Sequence, residues 1–141
     1  MFWRRKKVAR KRASTVTKHY VQHKEAARVF AHARLAHFNQ FYGFTWNRVA
    51  IRNQRRCWGS CSANKNLNFN YKILFLPPRL ADYIIVHELC HLQHLHHGQE
   101  FWDLVAQQLP QYKELLTELR AIDKAGHTQL LKIAEKATRE E

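Results

Sequence analysis

The sequence predicts an α+β fold, a single domain in which a small antiparallel sheet packs with a central apolar helix and flanking helices. Three observations predict it. The 141 residues are 45% apolar and 25% charged, the balance of one globular domain with a single core. Apolar residues recur at three- and four-residue spacing near residues 17–42 and again in two later stretches, which is the helical period. Between them lie short alternating runs punctuated by Gly, Asn and Pro, which read as strands.

In chain order, residues 1–16 read as a basic flexible tail, because Arg4-Arg5-Lys6-Lys7 and Arg10-Lys11-Arg12 offer nothing to bury. The domain is expected over residues 17–126. Its first helix carries Ala27, Phe30, Ala31, Leu35, Phe38 and Phe41 on one side, and Gly43 is a natural stop. Trp46 to Arg52 and Arg55 to Cys61 are short strand candidates, the second weakened by Gly59. Leu67, Phe69, Tyr71, Ile73 and Phe75 alternate as a third, ending at Pro77-Pro78. From Arg79 to about His94 apolar residues cover most of a helical circumference, so this helix is expected at the centre. Two shorter helices follow, Glu100 to Leu109 and one from Tyr112 ending near Gly126, then a polar tail over residues 127–141.

Composition limits the function. No apolar run approaches the ~18 residues of a membrane span, and no apolar stretch follows the basic N-terminus, so neither membrane insertion nor a secretory signal is expected. Three cysteines make no disulfide framework and suit a reducing, cytoplasmic setting. Charge is unevenly divided. The first 81 residues hold 18 Lys/Arg against one acid, Glu25, whereas residues 82–141 hold 6 against 10. A basic half of this kind suits an anionic partner, nucleic acid or another polyanion, or else is a solvated surface.

His87-Glu88-Leu89-Cys90-His91 is the segment with chemistry in it. On a helix, residues four apart share a face, so both imidazoles reach one ion. Glu88 lies beside the first ligand, where it takes a proton from water that Zn2+ activates, the arrangement of a metal-dependent hydrolase. A catalytic zinc needs a third protein ligand. His94, His96 and His97 are nearest, with Glu100 a further alternative. His94 would be crowded on the same helix face, while His97 follows the helix beside Gly98, where the chain can fold back. Asp82, five residues before His87, is a candidate to orient an imidazole, although a first-turn acid suited to the helix dipole is the favoured reading.

An ordered series of motifs adds to this. Arg56-Cys57-Trp58-Gly59-Ser60-Cys61-Ser62, Leu67-Asn68-Phe69-Asn70, Leu76-Pro77-Pro78, Asp82-Tyr83, His87-Glu88-Leu89-Cys90-His91-Leu92, His97 and Phe101-Trp102 resemble the YgjP-like (WUR-type) metal-dependent hydrolase family. The resemblance runs from about Lys24 to Arg120. It implies a zincin-like fold with a zinc metallopeptidase core, with His87, His91 and His97 as metal ligands and Glu88 as the catalytic carboxylate. In zinc proteases of this core, the strand near the active helix commonly pairs with an extended peptide. Trp58, Gly59 and Ser60 are the candidate substrate strand, with Gly59 allowing close approach of another backbone. The bland alternative is a buried Trp at a tight bend. The reading reached is a zinc metallopeptidase acting on peptide or protein. The alternatives are a nucleotide phosphoanhydride hydrolase and a nucleic-acid-associated protein with a structural metal.

Overall fold

The computed structural model describes residues 16–127 and 130–131. The basic run of residues 4–12 and most of the expected tails therefore lie outside the described residues. Four helices and a three-stranded sheet follow one another: α1 (Lys18–Tyr42), β1 (Arg48–Arg52), β2 (Gly59–Cys61), β3 (Asn66–Asn70), a 3-10 turn (Tyr71–Phe75), α2 (Pro78–Cys90), α3 (Gln99–Gln108) and α4 (Tyr112–Ala125). The α+β class and the central place of α2 are as the sequence predicts. No described helix is long and apolar enough to cross a membrane.

The ends of α1 follow from its capping residues. The Thr17 side chain accepts from the Tyr20 amide, and Gly43, at φ 70°, closes the helix with its N–H on the Asn39 carbonyl. Ala27, Ala31, Leu35 and Phe38 form the buried stripe, joined by Tyr20. Phe41 does not share it; its side chain is exposed. Pro78 occupies the first turn of α2, where a missing N–H costs nothing. From Leu80 to Cys90 every residue of α2 except Asp82 is buried, because α1, the sheet and the later helices enclose it. Asp82 instead receives both an Nε and an Nη2 bond from Arg34 of α1, at 2.8 and 3.0 Å.

The sheet departs from expectation. It is mixed, in the order β1-β3-β2. β2 pairs antiparallel with β3, Gly59 opposite Phe69, but β1 pairs parallel with β3, Ile51 opposite Phe69. The tight turn after Cys61, where the Lys65 amide bonds the Ser62 carbonyl at 2.9 Å and Lys65 takes φ 63°, forces the antiparallel pair. Residues 53–65 separate β1 from β3, a connection long enough for a parallel neighbour. Alternation alone carries no information about strand direction. One face of the sheet, with Leu67 and Phe69 fully buried, packs into the core.

The third strand is also shorter than its alternating pattern, which runs to Phe75. Asn70 ends it. Its Oδ1 accepts from the Lys72 amide at 3.1 Å, turning the chain into the 3-10 segment. Its Nδ2 donates to the Gln54 and Cys57 carbonyls at 2.7 and 2.9 Å. Tyr71 and Ile73 stay buried after the strand has ended, so the pattern reports burial and not strand. The packed unit also continues beyond residue 126. His127 and Leu130 are buried, and the His127 ring lies 4.2 Å from that of Trp58.

Asn70→Ala is expected to lower stability by about 2–4 kcal/mol, because it leaves buried backbone groups without their partner. Asn66→Ala, at the surface, should cost under about 0.5 kcal/mol. Urea unfolding of both variants checks this; equal midpoints would remove Asn70 as the clamp of the 54–58 loop.

Candidate metal centre

His87 and Glu88 project from the last full turn of α2, and both are completely buried. His91 caps the helix, which stops at Cys90 and not near His94. The chain then reverses over residues 91–94, where the Gln93 and His94 amides both bond the Cys90 carbonyl at 3.1 Å. This reversal, and not Gly98, folds the chain back. Gly98 has φ −82° and open space where a Cβ would stand, so its identity is not what the fold-back needs.

The reversal brings three imidazoles together. His97 Nε2 lies 3.1 Å from His91 Nε2 and 3.2 Å from His87 Nε2. One ligand nitrogen from each residue falls within a 4.8 Å cluster. Tetrahedral zinc with Zn–N bonds of ~2.0–2.1 Å places its ligand nitrogens ~3.3 Å apart, so the spacing fits one such ion. The Nδ1 of His91 faces the His94 carbonyl at 2.9 Å. As a donor there, it leaves the Nε2 lone pair toward the cluster. Burial holds the His87 pKa well below its ordinary value, with His97 adding to the effect. It lowers that of His91 to about 4, against a smaller upward pull from Glu88. Both rings are therefore neutral, the state in which imidazole ligates a metal. His94 and His96 lie outside the cluster. His94 Nδ1 is 3.7 Å from Glu100 Oε2, and neither belongs to the three-ring group.

Aromatic side chains hold the cluster in place. Fully buried Phe101 stacks on His91, with centroids 4.4 Å apart and planes at 24°, and meets His87 and His97 edge-on. Trp102 stacks on His97 and, on α4, Tyr112. In the sequence Phe101-Trp102 stands out only as part of the family resemblance. Two adjacent large aromatics opening a helix just after a run of histidines was the available signal.

Glu88 lies on the β2 side of α2. A Cβ on Gly59 would come within 2.9 Å of Glu88 Cγ and 3.1 Å of both Glu88 Oε2 and the Asn68 carbonyl. Close approach is therefore why this position is glycine, but the group that approaches is the Glu88 side chain. Trp58 does not face a substrate. It is fully buried, donating from Nε1 to Asp123 Oδ1 at 2.6 Å. Ser60 remains partly accessible on the edge strand. Asp82 is engaged with Arg34 and is corrected as an orienting acceptor for an imidazole. The Cys61 thiol is pushed up to about 12 by burial, and Glu88 adds to this. The neutral thiol is a poor ligand.

The profile of a family described as YgjP-like, metallopeptidase domain, matches residues 4–122. No curated protein matches the chain. Among solved structures the chain is similar to the crystal structure of the metallopeptidase zymogen of Pyrococcus abyssi abylysin, with a TM-score of 0.59 and 24% identity. The match covers 64% of this chain and 92% of that one. At this identity the likeness speaks for the fold.

Gly59→Ala is expected to destabilise the protein by about 1–3 kcal/mol through overpacking against Glu88. Urea denaturation measures it. An unchanged midpoint would show that β2 does not press on the carboxylate.

Proposed function

The chain belongs to the YgjP-like metallopeptidase family, and from that premise we propose that it is a zinc-dependent peptidase with His87, His91 and His97 as metal ligands and Glu88 as general base. The observation that carries this reading is the convergence of three Nε2 atoms at 3.1–3.2 Å beside a buried carboxylate. When bound, zinc supplies Lewis acidity, lowering the pKa of a water and polarising the scissile carbonyl. The three imidazoles would hold the ion, with a fourth position left for the reaction. Glu88 accepts the proton of the attacking water and later passes it to the leaving amine. Gly59 leaves the room beside β2 that its side chain occupies, where any larger residue would collide with it. His97 is the one residue of these four that is not buried, so the cluster opens on its side.

Peptide is favoured over a nucleotide as substrate by the family and by the single three-histidine cluster, the one group of three or more metal-ligating side chains found among the described residues. Two-metal clamps are a frequent device for phosphoryl transfer. A cytoplasmic setting agrees with three free cysteines, of which Cys57 and Cys90 are buried.

Glu88→Gln is expected to retain zinc at wild-type stoichiometry and to lose peptide hydrolysis by at least about 100-fold, in keeping with removal of a general base. Metal content and turnover of a peptide library would be read on the same sample. Stoichiometric loss of zinc would make Glu88 a ligand and overturn its role.

His97→Ala should weaken zinc binding at least about tenfold, whereas His94→Ala and His96→Ala leave it within about twofold. Competition with a chromogenic chelator ranks the three. Wild-type affinity in His97→Ala would remove it from the ligand set.

A further inference from the structure

We propose that the outer face of the sheet beside β2 is a subsite for an acidic side chain of the peptide, with Arg52 supplying the positive charge. This inference rests on the peptidase reading and names the substrate class.

β2 is an edge strand, so one side of its backbone is open to pairing with an extended chain. Its first residue, Gly59, touches Glu88. A peptide laid along that edge therefore passes the general base. Side chains alternate between the two faces of a strand. Gly59 and Cys61, opposite buried Phe69 and Leu67, face α2, whereas Ser60, opposite Asn68, faces outward. At that outward face and the end of β2 lies a cavity of about 270 Å³ whose lining includes Arg52, Ser60, Ser62 and Asn68 together with Cys57 and Cys61. Ser60 is one residue from Gly59, a rise of ~3.3 Å. The side chain received here thus belongs to a residue close to the scissile bond.

The polar groups of the cavity are arranged as donors. Arg52 Nε donates to Asn68 Oδ1 at 3.3 Å, and Asn68 Nδ2 donates to Ser60 Oγ at 3.2 Å. Asn68 thereby orients both neighbours. The Nη groups of Arg52 and the hydroxyl proton of Ser60 are left to donate to a ligand. A carboxylate accepts from such a fork in bidentate fashion. Among the described residues no ion pair involves Arg52, and residues 26–81, which supply all three strands and their loops, contain no Asp or Glu. The acids that flank this stretch are occupied elsewhere, Glu25 with Arg28 and Asp82 with Arg34. Glu88 lies against the opposite face. A phosphate of nucleic acid would meet the same donors. The place of the cavity on the strand that touches Glu88, and the absence of aromatic residues from its lining, favour a peptide.

The test uses the full chain carrying Glu88→Gln, so that nothing is cleaved, and fluorescein-labelled alanine-based octapeptides with a central Glu, Gln or Lys. Anisotropy should show the Glu peptide bound at least about tenfold more tightly than the Gln peptide. Adding Arg52→Gln should abolish the preference and Arg52→Glu should turn it toward Lys, with melting temperature confirming the fold. Adding Arg48→Glu, the same charge change four residues away on the same strand, should leave the Glu-to-Gln ratio as it was. No Glu preference, or equal loss in the Arg48 variant, overturns the subsite. So does an oligonucleotide that outbinds the Glu peptide and depends on Arg52, which would assign the face to nucleic acid. The zinc-loaded chain with Glu88 intact separates the two readings. Failure to cleave any peptide while the Arg52-dependent preference persists sinks the peptidase reading and leaves the subsite standing. Cleavage without the preference does the reverse.

Discussion

A buried helix that carries ionisable groups is the constraint on which this structure depends. α2 is enclosed on almost every side, yet its last turn presents His87 and Glu88, both without solvent exposure. Desolvating such groups is costly unless they are neutralised, paired or bound to a cation. Each neighbouring element answers that demand. The reversal over residues 91–94 delivers the third imidazole and supplies the carbonyl for His91 Nδ1. Phe101 and Trp102 pack against the rings of His91 and His97. β2 places a glycine where any side chain would collide with Glu88.

The same constraint orders the parts further out. Gly59 reaches Glu88 because β2 is held at its beginning, through Trp58 on Asp123 of α4 and through Asn70 on the 54–58 loop. Buried Lys72 adds a bond to the Gln54 carbonyl. The far end of the domain therefore supports the wall behind the carboxylate, and His127, packed on Trp58, belongs to that support. With one face of the sheet given to this task, the other carries arginine, asparagine and serine without a single acid. A positive outer face next to a hydrolytic centre suits a substrate with negative side chains.

Much of this was legible in the sequence, and the limits have physical reasons. The end of α1 was legible because Gly43, a natural helix stop, acts locally. The His87-Glu88 and His91 constellation could be read because helical spacing fixes which side chains share a face. Sheet direction could not, since a period of two is the same for parallel and antiparallel strands. Alternation beyond Asn70 misled for a related reason: it records which side chains are buried, and the 3-10 turn buries Tyr71 and Ile73 as a strand would. The role of Gly59 was half visible. Its lack of a side chain signalled a close approach, but that Glu88 is the approaching group depends on a contact between residues distant in the chain. For Trp58 and Asp82 the sequence left two readings open, because the partners that decide between them, Asp123 and Arg34, are also remote in sequence.

The central claim is that His87, His91 and His97 form a three-ligand zinc site with one position left for chemistry. X-ray absorption at the zinc edge of the metal-loaded chain tests it most directly. The account predicts three histidine nitrogens and one non-protein oxygen, all at ~2.0–2.1 Å. A sulfur at ~2.3 Å, or two histidines in place of three, would contradict it.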